Sequence, residues 1–219
     1  MKSFSNYHGI NTNEKLTHDG LLILQKSLDG YAGYDVIINN SINSKVLIYQ
    51  KWDANSETKR IIGRIEDIER GNLIHLEGVD WLITTHPEDN KIYRKAEIRL
   101  CNSTFPIESD KTPVLMRDEN GNVIYDDYGM PVFEDVQSET IHEPCIVETK
   151  YYFNNRNEQI TLPEDRVLIT MKYKESKSVD VNHRFDLYKS KFKITFVDYS
   201  KVVNGTGIMV VTGERVVND

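Results

Sequence analysis

The sequence predicts a mostly β protein: two similar small β-barrel or sandwich domains in tandem, one N-terminal helix, and a β-hairpin arm between the domains. Three observations carry this. First, one β unit appears twice. Lys45-Val46-Leu47-Ile48 and Lys51-Trp52 match Arg166-Val167-Leu168-Ile169 and Lys172-Tyr173. Leu76, Trp81, Ile83 and Thr84 match Leu187, Phe192, Ile194 and Thr195, and Ile98 and Leu100 match Ile208 and Val210. Three ordered blocks that differ only in loop length read as an internal duplication. Second, a single helical periodicity precedes the first copy. Third, an eight-residue near-repeat separates the copies.

Residues 1–16 are polar and read as an extended arm. The helix is expected over 17–29, capped by Thr17, with Asp19 in its first turn and Leu21, Leu24 and Leu28 on one face beside Leu22. Gly30 sits where it should stop. Such a helix would cover an open end or face of the first barrel. Domain bounds follow as 1–33 for arm and helix, 34–105 for the first β domain, 106–140 for the β arm, and 141–219 for the second β domain.

In the first domain, residues 35–39 form a short strand. Residues 45–52 form the next, whose continuous apolar start predicts burial on both faces. A turn follows at 53–57, and 59–69 could be strand or short helix. Residues 73–76 and 81–85 form a hairpin through Glu77-Gly78, and 86–90 a loop. Ala96, Ile98 and Leu100 alternate with charged residues, as on a half-exposed strand. In the second domain strands are expected at 145–152, 166–173, 184–188, 191–198 and 207–212, with turns at 154–158 and at Asn204-Gly205.

The near-repeat runs Asp118-Glu119-Asn120-Gly121-Asn122-Val123-Ile124-Tyr125, then Asp126-Asp127-Tyr128-Gly129-Met130-Pro131-Val132-Phe133. Each unit is an acidic turn with Gly fourth and an aromatic last, and Asn-Gly is a strong hairpin signal. Val123, Ile124, Tyr125, Met130, Val132 and Phe133 need something to pack on, so they are the candidate subunit-interface residues of a protruding arm.

The net charge is −7 over 219 residues. That argues against a general nucleic-acid-coating protein, whose phosphate contacts need clustered Lys and Arg, and does not exclude a lining that repels DNA and lets it slide. Two cysteines, Cys101 and Cys145, are too few for a disulfide scaffold. The start lacks an apolar run of signal-peptide length, and no stretch is long and apolar enough to span a membrane.

No catalytic, metal or cofactor site is expected. Asp118, Asn120 and Asn122 alternate like a Ca²⁺ loop, but the Gly is one step early and Gly129 stands where the bidentate Glu belongs. His142-X-X-Cys145 is one half-pair of a zinc site, with Cys101, His75 and His86 scattered elsewhere. There is no nucleophile elbow, and Gly205-Thr206-Gly207 lacks the helix of a phosphate loop. Trp81 and Phe192, at equivalent positions, read as core. Lys189, Lys191 and Lys193 alternate along a strand and form a candidate basic contact stripe. It would be a solvated or blunted edge, or would meet an acidic neighbour or a phosphate backbone.

The run Val79-Asp80-Trp81-Leu82-Ile83-Thr84-Thr85-His86-Pro87, the strand Ala96-Glu97-Ile98-Arg99-Leu100-Cys101-Asn102, the preceding amphipathic helix, and Phe192-Lys193-Ile194-Thr195 together resemble the neck and head-completion (head–tail connector) proteins of tailed bacteriophages. The Asn-, Ile-, Lys- and Tyr-rich composition suits a phage of an AT-rich host. The resemblance implies a non-enzymatic virion protein in a six- or twelve-fold homo-oligomeric ring between portal and tail. Such a ring docks the tail and retains packaged DNA. Portal, adaptor and tail proteins would be its partners, in the virion after assembly in the host cytoplasm. The same features fit a tail-completion or baseplate-proximal protein. A cytoplasmic β-barrel binding module would instead present an aromatic groove around Tyr151, Tyr152 and Phe153, and a hydrolase would need a perturbed pair of carboxylates in a cleft.

Overall fold

The computed structural model describes residues 11–50, 57–108, 114–118, 121–134, 140–152, 159–161 and 165–216. Residues 1–10 of the arm expected over 1–16, Trp52, all but the last residue of the turn expected at 53–57, Glu119, Asn120, Phe153 and the turn at 154–158 lie outside the described residues; residues 12–16 are helical, not an extended arm.

Helix α1 spans Thr12–Asp29, starting earlier than Thr17. Asn11 is the cap, its side chain accepting from the Asn13 N–H at 3.2 Å, while Thr17 sits inside the helix and donates to the Asn13 carbonyl. Only Leu24 and Leu28 are buried; Leu21 and Leu22 stay exposed, because the helix rests on the first domain by its last turns and by Gly20, which lies against the Ile92 side chain.

Strands β1 (Gly33–Ile38), β2 (Ile42–Gln50), β3 (Thr58–Gly63), β4 (Leu73–Leu76), β5 (Val79–Ile83), β6 (Glu88–Asp89) and β7 (Arg94–Leu100) form the first sheet. Its order is β3-β2-β1-β4-β5-β7, and β3 also pairs with β7, so the sheet closes into a barrel. Closure leaves one dry face. In β2, Val46 is buried but Leu47 and Ile48 are only half-buried, so the expected two-faced burial does not occur there. In β7, Ala96 and Ile98 point inward between charged neighbours, as their alternation required. The β4–β5 turn puts Glu77 and Gly78 at φ 51 and 81, the mirror-image turn that matches strand twist.

The first sheet ends at Leu100. Strand β8 (Ser103–Glu108) pairs with β11 of the second sheet, so Phe105 and Ile107 belong to the second core and the chain changes barrels at about Asn102. Two-residue strands β9 (Val114–Leu115) and β10 (Phe133–Glu134) lie in the arm. The second sheet continues with β11 (Thr140–Glu148), extended by a ribbon of β12 (Lys150–Tyr152) and β13 (Gln159–Thr161), then β14 (Arg166–Lys172). A short 3-10 turn, Lys177–Val179, leads to β15 (Arg184–Leu187), β16 (Ser190–Asp198), β17 (Val202–Val203) and β18 (Thr206–Arg215). The order is β15-β16-β18-β14-β11-β8, with β17 on β18. No pairing joins β8 to β15, so this barrel keeps a seam, bridged inside by the Phe105 and Phe185 rings at 4.9 Å.

The duplication holds at its hairpins. Tyr188 and Lys189 form the same turn as Glu77-Gly78, and Trp81 and Phe192 are both the third residue after it, both buried in their cores. The third block does not hold. Ile83 faces Ile98, but Ile194 faces Gly213, while Val210 faces Asp198 further along. Gly213 is small because the Phe185 ring occupies the space: a Cβ there would meet it at 2.9 Å.

The barrels meet along a small apolar cluster of Leu73, Leu82, Ile146 and Ile208. Around it, Asn102 clamps Val147 through both its amide atoms, at 2.8 and 3.0 Å. Arg99 makes a two-pronged pair with Glu148, and Lys172 donates to the Asn39 side chain at 2.7 Å. This explains why β14 is buried on both faces while β2 is not: the outer face of β14 lies toward the first barrel.

Candidate assembly site

The arm is built by its near-repeat. In the first unit the Gly121 N–H donates to the Asp118 carbonyl and the Asn122 N–H to Asp118 Oδ1. In the second, Gly129 donates to the Asp126 carbonyl and Met130 to Asp126 Oδ1. Both glycines take φ near +80°, 85 and 76, where a Cβ is disfavoured. The carboxylate fourth from the end of each turn thus holds the loop shut, and the alternation that mimics a Ca²⁺ loop is the chemistry of a turn.

A third unit was hidden from the sequence. Met116, Ile124 and Val132, eight residues apart, donate in a closed cycle. Met116 N–H goes to the Val132 carbonyl, Val132 to Ile124, and Ile124 to Met116, each at 2.9 Å. Residues 114–117 therefore form the first of three short strands, although no Asp-Gly turn precedes them. Backbone demand is met inside the arm, and apolar side chains are left over. Tyr128 is 91% exposed, and Tyr125, Met130 and Phe133 are at least half exposed. Ile124 is partly exposed, and Val123 and Val132 are half-buried. These exposed apolar side chains belong to neither barrel core.

The basic stripe is placed differently from its expectation. Lys189 lies in the β15–β16 turn, and only Lys191 and Lys193 alternate along β16. Across the hairpin, Lys191 faces Asp186 and Lys193 faces Arg184, with Glu214 on its other side. Tyr151 and Tyr152 lie in the β12 ribbon.

Two of the hollows beside the sheets bear on assembly. One, of about 480 Å³, lies in the seam between β8 and β15. Strand addition there is hindered on the β8 side. Pro106 has no N–H, and Glu108 is already bonded through its N–H and carbonyl to Ser178 and Ser176. The other, of about 650 Å³, lies between the barrels beside the Arg99–Glu148 pair. Burial opposes the Arg99 charge, and the Glu148 carboxylate outweighs it, so the guanidinium is held more basic than usual.

Among the described residues no three His, Cys, Asp or Glu side chains converge to hold a metal. Burial pushes the Cys101 and Cys145 thiols up to about 12. At pH 8 the thiolate fraction is then about 10⁻⁴, so both cysteines should resist maleimide in the native chain and react on unfolding in urea. Rapid native labelling, followed by mass spectrometry, would contradict their placement. No helix of the described residues is long and apolar enough to cross a membrane.

Comparison with known proteins follows this division. Residues 6–100 match the YomX N-terminal domain and residues 88–214 the YomX C-terminal domain. The chain is 33% identical over 220 residues to the SPbeta prophage-derived protein YomX of Bacillus subtilis strain 168, covering 100% of this chain and 99% of that one. No solved structure matches. The overlap of the two matched regions, 88–100, contains β7 and ends two residues before the crossing at Asn102. The chain belongs to the phage-associated YomX family.

Proposed function

We propose that the chain is a non-enzymatic structural protein of a tailed-phage virion, forming a ring in the neck between portal and tail. The carrying observation is the arm: a self-paired β unit that stands off both barrels and exposes Tyr125, Tyr128, Met130 and Phe133. Such a unit is suited to reaching across subunits. In this reading the ring is six- or twelve-fold and docks on portal or adaptor proteins above and tail proteins below. The excess of carboxylates would keep packaged DNA moving past the wall rather than adhering to it.

Quantitative mass spectrometry of purified particles tests this. The reading expects a low copy number, near six or twelve per particle. Hundreds of copies would assign the protein to the tail tube or capsid surface instead, and absence from particles would overturn the virion role. Deletion of the arm must be confined to 114–134. Removing 106–140 would cut β8 and unfold the second barrel, because Ile107 is fully buried in its core.

A further inference from the structure

Building on the ring reading, we propose that the arm of one copy docks on the outer face of the β15–β16 hairpin of the next copy. The two surfaces complement each other in charge. Among the described residues of 114–134, the arm carries Asp118, Asp126 and Asp127, and its Arg117 guanidinium is turned back onto the Gly121 carbonyl. The hairpin face carries Arg184, Lys189, Lys191 and Lys193 against Asp186.

Two features of the hairpin point to a missing acidic neighbour. Arg184 stands directly opposite Lys193, a like-charge cross-strand pair that destabilises a hairpin; Glu214, on the far side of Lys193, relieves it only in part. The turn itself is made by Tyr188 and Lys189 at φ 49 and 62, although Asn-Gly serves the β17–β18 turn at 204–205. Side chains are thus kept at the tip at the expense of backbone comfort, and the Tyr188 ring is exposed. Its exposed ring suits the Tyr125 and Phe133 rings of the arm, which gives the charged contact an apolar centre. Arm and hairpin are different patches, so the contact is head-to-tail, the kind that closes rings.

The test is carbodiimide cross-linking of an equal mixture of ¹⁴N- and ¹⁵N-labelled full chain, and of purified particles. Isotopically mixed links from Asp127 to Lys189, Lys191 or Lys193 are expected. By sedimentation, Asp127→Lys alone, or Lys191→Glu with Lys193→Glu, should weaken self-association about tenfold, and the combined reversal should restore it. Asp127 is used because Asp126 closes its turn. Particles that contain the chain but yield no such link overturn the docking and leave the virion role standing. If particles lack the chain, the purified chain decides: mixed links support the docking, and links within single copies only, or none, overturn it. If the lysine reversals abolish binding to a short DNA duplex and leave self-association unchanged, the face is a nucleic-acid surface and the inference fails.

Discussion

Gly71→Ala is expected to destabilise the protein strongly. Gly71 has φ +93, and a Cβ built there would stand 2.0 Å from the Gly207 carbonyl oxygen and 2.6 Å from its carbon. Both are backbone atoms and cannot rotate away. Gly207 is itself hemmed in, its own Cβ position falling 2.2 Å from the Lys201 carbonyl oxygen, and its carbonyl accepts from the Tyr173 N–H. The contact therefore welds the first barrel to β18 of the second. Left-handed backbone with a side chain costs about 1–2 kcal/mol, and forced overpacking adds about 1–3 kcal/mol. A loss of about 2–5 kcal/mol should appear as a lower urea midpoint. Gly78→Ala is the control, because its φ is +81 with nothing within 4 Å. It should show the backbone part only. Equal losses for the two variants would mean that the barrels do not touch at Gly71.

Phe105→Ala should cost about 3–5 kcal/mol, the range for a fully buried aromatic. Its ring meets Phe185 at a tilt of 53°, and Phe185 in turn stacks on Phe192 at 5.7 Å, so the loss falls on the hairpin that closes one side of the second barrel. Hydrogen exchange should quicken in β14, β16 and β18, with β2 and β5 changing less. The reverse pattern would return Phe105 to the first domain.

These two residues show what the sequence made legible. Hairpins were readable where a two-residue turn and period-two burial coincide, as at Glu77-Gly78 and in β7. The affiliation of β8 was not: an alternating strand fits either barrel, and its partner β11 lies beyond the whole arm. The third duplicated block misled because the apolar run of β18, Ile208 to Val211, offers several alignments of equal merit. Asn11 and Thr17 are both capable caps, and nothing local favoured the first. Burial of β14 on both faces was caused by a neighbouring barrel, which no local window contains. The arm was half legible. Asp and Gly at fixed spacing declared two turns, but its third strand could be seen only from the hydrogen-bond cycle.

That cycle has a thermodynamic consequence. A segment that folds only upon meeting its partner gives up about 2–5 kcal/mol of its interaction energy to ordering, roughly a thirty- to several-thousand-fold loss of affinity. Because Met116, Ile124 and Val132 already satisfy one another's backbone groups, the arm arrives preorganised. In the proposed ring, a small patch of aromatic rings would then hold subunits together where a floppy loop of the same composition could not.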